Sequence, residues 1–220
     1  MTTAILDDPA FAARRSSRGE PPWEIATLFP PQGTWSEEAF LALRTNRLVE
    51  LNDGCLEVLA VPSYFHELIV ELLHDLLRAF VNQRALGRVM RAPLPIRLWP
   101  GQMREPDILF LKPERLERLR QRGNKAQPDG ADLVVEVVSP GEESRDRDLN
   151  VKRVEYAQAG IAEYWIVDTE RRSITVLTLD GETYEVHGDF AEQDTVTSKL
   201  LTDFTVSVSD VLRAGEPSDE

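Results

Sequence analysis

Asp132-Leu133-Val134-Val135-Glu136-Val137-Val138-Ser139-Pro140, residues 132–140, is the stretch that decides the fold. Its β-branched run reads as a central strand buried on both faces. Ser139-Pro140-Gly141 stops the strand. Residues 146–159 then carry a helical pattern that Gly160 caps, and Glu163-Tyr164-Trp165-Ile166-Val167-Asp168 reads as the next strand. Working outward, residues 107–111 and 89–98 form two more strands joined by a Pro100-Gly101 turn, and residues 113–122 form a charged helix. Ser63 opens a long helix in which Phe65, Leu68, Ile69, Leu72, Leu76 and Phe80 make one apolar stripe, with Gly87 ending the helical region. Ahead of it, residues 47–51 and 55–59 flank Asn52-Asp53-Gly54, a strong hairpin signal. A short helix near Trp35 takes Ser36 as N-cap with Glu37 and Glu38 in its first turn. Downstream, residues 174–179 and 183–187 form a hairpin around Asp180-Gly181, and residues 196–208 hold late β segments. This order predicts an α/β (α+β) fold: one central mixed β-sheet flanked by helices. Residues 1–22 read as an N-terminal arm, 23–212 as one domain and 213–220 as a tail.

The chemistry concentrates around the same strand. An ionised Glu136 among four valines is costly unless a partner or a metal compensates it. Strand alternation puts it on one face with Val134 and Val138. The blander reading is a structural Glu paired with an arginine. Asp107 stands at the mouth of another apolar strand, directly after Pro106; a solvated strand-end Asp is common. Side by side, the two acids would form an oxygen-rich pocket suited to Mg²⁺ or Mn²⁺. Asp148, Lys152 and Tyr156 recur at i, i+4 and i+8 and share a helix face. Lys152 is either half of a surface pair or a cation aimed at a metal-bound water, able to stabilise charge in a phosphoryl transition state.

Totals bound the alternatives. The chain has 220 residues, 42% hydrophobic and 29% charged, enough for one domain with a substantial core. No apolar run reaches a membrane-spanning length of about 18 residues, and the N-terminus does not read as a secretory signal. One cysteine, Cys55, excludes an intramolecular disulfide and a cysteine zinc cluster and fits a reducing cytoplasm. The net charge of −13 argues against general nucleic-acid binding. Residues 78–153 nevertheless hold 16 basic and 11 acidic side chains, a net of +5, leaving −18 for the remainder. No Gly-x-Ser-x-Gly elbow or Walker phosphate loop is present, and no histidine is placed to activate Ser139.

These residues resemble the PD-(D/E)XK nuclease superfamily and, within it, the Uma-two branch of restriction-endonuclease-like proteins. The matching stretches are Glu50-Leu51-Asn52-Asp53-Gly54, His66, Glu105-Pro106-Asp107, the run from Leu133 to Pro140, then Asp148, Lys152, Tyr156, Gly160 and the run from Glu163 to Asp168. They span roughly residues 30–210. The resemblance implies a central sheet flanked by helices and a divalent-cation site held by Asp107, Glu136 and the backbone carbonyl of Val137. The superfamily usually carries its lysine two residues after the second acid, where this chain has Val138. In the resembling branch that lysine sits on the following helix, here Lys152. His66 also matches; it is either the polar edge of an amphipathic helix or a group acting in positioning or proton transfer. Arg145, Arg147 and Arg153 are candidate phosphate contacts. Glu67 and Glu71 share the long helix, and His74 and His187 have no supporting context. The expectation is a Mg²⁺- or Mn²⁺-dependent endonuclease acting on DNA. The alternative is a nuclease-like binding or assembly protein without turnover, in which the strand Glu163–Asp168, with Tyr164 and Trp165, would serve a homodimer interface as readily as a core. The reaction reading requires the Asp107 and Glu136 carboxylates on one side of the sheet.

Overall fold

The computed structural model describes residues 30–45, 47–123 and 126–216. The predicted arm at 1–22 and residues 217–220 lie outside them.

The decisive stretch forms β7, Leu133–Val137, buried along its whole length. A helical arm follows it: α4 (Glu142–Asp146), a π-helical segment (Arg147–Val151) and α5 (Lys152–Gln158). The chain returns in β8, Glu163–Asp168, which pairs parallel to β7 with Leu133 beside Glu163. A parallel pair needs such a crossover. The other strands of this six-stranded sheet pair antiparallel, in the order β10-β9-β8-β7-β6-β3. They are β3 (Arg88–Arg91), β6 (Ile108–Leu111), β9 (Ser173–Asp180) and β10 (Thr183–Ala191).

This is the central mixed sheet that was expected, but it is not the sole sheet. A second, four-stranded antiparallel sheet joins the hairpin β1 (Val49–Asn52) and β2 (Cys55–Val58) to β4 (Ile96–Trp99) and β5 (Gln102–Arg104), in the order β2-β1-β5-β4. The strand expected over 89–98 is therefore two strands in different sheets. Pro93 and Pro95 lie between them; neither has an N–H to give a ladder. The hairpin turn is as expected: Asp53 and Gly54 both take positive φ, and a Cβ on Gly54 would lie 2.9 Å from the Gly33 backbone.

Helices cover both faces of the large sheet. On one, α2 (Tyr64–Gln83) packs Ile69, Leu73, Leu77 and Val81 against Phe110, Val135 and Trp165. The buried stripe is thus displaced from the expected one; Phe65 and Leu76 remain 39% and 38% exposed. Helix α2 is apolar around more than half its circumference, so periodicity alone admits either stripe and sheet contacts select one. The late β segments are short, β11 (Thr195–Thr197) and β12 (Thr205–Ser207). They lead into α6 (Val208–Ala214), a helix the sequence pattern did not reveal, which packs beside α2. It runs past the domain end expected at 212. On the opposite face α5 packs Tyr156 and Ala157 against Val134, Val138, Tyr164 and Ile166. The charged helix is α3 (Pro113–Gln121), and the short N-terminal helix is α1 (Glu37–Leu41), capped by Ser36.

Candidate active site

Strand register brings the two acids together. Ile108 of β6 pairs with Val135 of β7, so Asp107, one residue earlier, falls beside Glu136. Asp107 Oδ2 accepts the Val137 N–H at 2.7 Å. Both acids lie with Lys152 and Asp148 around one cavity, as the reaction reading requires.

Lys152 is placed by α5. Its Nζ lies 2.9 Å from Glu136 Oε1, 3.1 Å from Asp148 Oδ1 and 3.7 Å from Glu50 Oε1. The crossover thus carries the lysine over the Glu136 strand, and the surface-pair reading fails: Lys152 is 2% exposed. The Tyr156 hydroxyl donates to Glu136 Oε1 at 2.6 Å, and the Tyr164 hydroxyl fixes the π-helical segment through the Asp148 carbonyl at 2.7 Å. His66, at the start of α2, puts Nε2 3.2 Å from Asp107 Oδ1.

The second sheet adds what sequence reasoning missed. Glu50 is fully buried and accepts from Arg104 and from the Glu105 N–H, at 2.8 and 2.9 Å. The Arg104 guanidinium, 1% exposed, also binds Glu57 and Glu155. Glu105 Oε2 is buried without a hydrogen-bond partner. The available signal for Glu50 was the one that marked Glu136, a carboxylate inside an apolar strand. Arg147 lines the cavity. Arg145 does not: it forms a two-point contact with Asp168 at 3.0 and 2.6 Å. Arg153 donates to the Tyr184 carbonyl at 3.3 Å. Glu67 and Glu71 are exposed, and His74 and His187 pair elsewhere, with Asp75 and Thr197. Tyr164 and Trp165 are wholly buried within the chain, so neither forms a dimer surface.

The electrostatics follow from crowding. Burial pushes the Glu136 carboxyl well above the usual carboxylate range; Lys152 opposes this, and Asp107, Asp148 and Glu50 reinforce it. Burial and the Glu50 charge push Glu105 up to about 7. Burial would lower Lys152, yet Glu136, Glu50 and Asp148 outweigh it and hold the ammonium charged above its usual value. For His66, burial is likewise outweighed by the Asp107 hydrogen bond and charge, so its pKa rises. Carboxylate oxygens thus exceed the cations that face them, a donor set that fits a hard divalent cation. Among the described residues no group of three or more His, Cys, Asp or Glu side chains is placed to hold a metal ion by itself.

A mixed sheet between helices, with this carboxylate–lysine cluster at the β6–β7 junction, defines a protein of the restriction-endonuclease-like fold. The chain belongs to the Uma2 family, described as "Putative restriction endonuclease", which matches residues 37–209. Its structure is similar to that of a "putative nuclease belonging to DUF820" from Anabaena variabilis ATCC 29413, with a TM-score of 0.68 and 16% identity over 82% of this chain and 99% of that one. A comparison with curated proteins finds no match. Among the described residues no helix is long and apolar enough to cross a membrane.

Proposed function

We propose that this chain is a metal-dependent endonuclease that hydrolyses phosphodiester bonds of DNA. Asp107, Glu136 and the Val137 carbonyl would hold Mg²⁺ or Mn²⁺. Such an ion supplies Lewis-acid polarisation of the phosphate and lowers the pKa of a bound water. The carrying observation is the convergence of Asp107, Glu136 and Lys152 on one face of the sheet, with Lys152 Nζ 2.9 Å from Glu136. Lys152 stays protonated, so it acts as a fixed charge and hydrogen-bond donor and not as the base. Tyr156 holds the Glu136 carboxylate in place from below. His66 orients Asp107 and can carry a proton at Nε2. Arg147 is the cation placed to meet a non-bridging phosphate oxygen.

The test is cleavage of duplex and single-stranded DNA with Mg²⁺ or Mn²⁺, comparing the native chain with Asp107→Asn, Glu136→Gln and Lys152→Met. Each substitution is expected to slow cleavage by about 100-fold or more. Cleavage that survives all three, or that never occurs with either ion, overturns the reading.

A further inference from the structure

A groove of about 450 Å³ opens beside the carboxylate cavity, between the start of α2 and the end of α6. That volume falls in the range of about 300–1,000 Å³ typical of small-ligand sites. His66, Val137 and Ser139 line both the groove and the carboxylate cavity, so the two adjoin. The walls are largely apolar: Phe65 and Ile69 from α2, Val138 and Pro140 from the β7–α4 turn, Leu212 from α6. The helices meet tightly at its floor, where a Cβ on Gly215 would lie 2.6 Å from Ile69 Cδ1. Beside it, Tyr64 is 72% and Phe65 39% exposed, their rings in edge contact at 5.6 Å. Val61, which also lines the groove, is 72% exposed.

We propose that this groove seats an unpaired nucleobase next to the scissile phosphate, with Phe65 as its stacking face and Tyr64, in edge contact with Phe65, at the rim. The inference rests on the nuclease reading above and adds a substrate class, single-stranded or locally unpaired nucleic acid. Charge supports it. Among the described residues the cation that lines the groove, Arg172, is already engaged by Glu192 and Glu216. Neutralisation of phosphates cannot carry much binding here, whereas apolar and aromatic surface can. A base inside a duplex hides its faces against its neighbours; an unpaired base offers them. An apolar peptide side chain would also fit the walls, but the groove adjoins the carboxylate–lysine cavity, which favours an occupant joined to a group that reacts there.

The experiment measures fluorescence anisotropy of labelled 12-nucleotide single-stranded DNA, single-stranded RNA and the DNA duplex, with Ca²⁺ replacing Mn²⁺ so that binding is read without turnover. The native chain, Phe65→Ala, Phe65→Leu, Phe65→Trp and Tyr64→Ala are compared, with thermal melts to confirm folding. Single-stranded binding about 10-fold or more tighter than duplex binding is expected. Phe65→Ala should lose about 5- to 30-fold for single strands, Phe65→Leu should also lose, Phe65→Trp should retain affinity, and Tyr64→Ala, at the rim, should lose less than Phe65→Ala. A difference between the DNA and RNA strands tells which nucleic acid is preferred. Equal or tighter duplex binding, or folded Phe65→Ala binding single strands as the native chain does, overturns the proposal. Metal-dependent cleavage of duplex and single strands measured in parallel separates the two readings. If the native chain cuts with metal while folded Phe65→Ala binds and cuts single strands as the native chain does, the nuclease assignment stands and the stacking groove falls. If no nucleic acid binds or is cut, both fall.

Discussion

Three buried carboxylates in neighbouring strands meet three fates set by their partners. Glu163 receives four donors: Trp165 Nε1, the Ser198 hydroxyl and the N–H groups of Lys199 and Leu200, all between 2.6 and 2.8 Å. It is a structural anchor. Asp168 receives Arg145 and the N–H groups of Glu170 and Arg171. Burial would raise its pKa, but these donors hold its carboxyl below the usual range. Its stabilising effect is therefore present above the ordinary value of about 4 and is lost as pH falls through the folded-state value. Arg145→Ala should cost about 1–2 kcal/mol at pH 7, with the deficit shrinking below about pH 4, as urea unfolding across pH would show. Glu136 alone faces a buried cation in a crowd of other acids. Lys152→Met leaves Glu50, Glu136 and Asp148 without it and should destabilise the fold by about 3–5 kcal/mol in urea. A loss below about 1 kcal/mol would contradict the internal ion cluster.

The elements place these side chains. Helix α2 carries adjacent apolar stripes of which the sheet takes one, so neighbouring leucines should respond unequally. Leu73→Ala, fully buried, is expected to cost about 2–5 kcal/mol. Leu76→Ala, 38% exposed, should stay within about 0.5 kcal/mol, both read from chemical denaturation. Equal costs would mean that the helix packs about the other stripe. The loop between β11 and β12 has its own staple in Glu163. Glu163→Ala should speed amide exchange at Lys199 and Leu200 by at least about 10-fold while β7 amides stay protected. The sequence marked β7, β8, the Asp53-Gly54 hairpin and the Ser36 and Ser63 caps, since each has a local cause. It did not mark β5 or α6. Three residues of strand and two turns of helix are too short for periodicity, and pairing and packing alone define them.

At the scale of the molecule, the net charge of −13 bears on how nucleic acid would be held. Among the described residues Lys152 and Arg172 are held by carboxylates, so few counterions would be released there. The logarithm of the single-strand binding constant is expected to fall with the logarithm of salt at a slope of about −1 to −2. A slope steeper than about −5 would mean an extended basic track and would contradict the stacking groove. The second sheet, invisible as such in the sequence, supplies Glu50 and Arg104 to the same neighbourhood, and Glu105 follows directly after β5, so the acidic wall is built from two sheets.

The sequence alone determined which strands are central, which carboxylates are too costly to leave unpaired, and that Lys152 shares a helix face with Asp148 and Tyr156. Those properties depend on residue type and on neighbours within a few positions. Only the tertiary structure decided that the crossover lays Lys152 over Glu136, that β6 and β7 align Asp107 with it, and that Arg145 serves Asp168 and not the cavity. Register, helix rotation and the choice among competing ion pairs depend on groups tens of residues apart, and short-range patterns do not encode them.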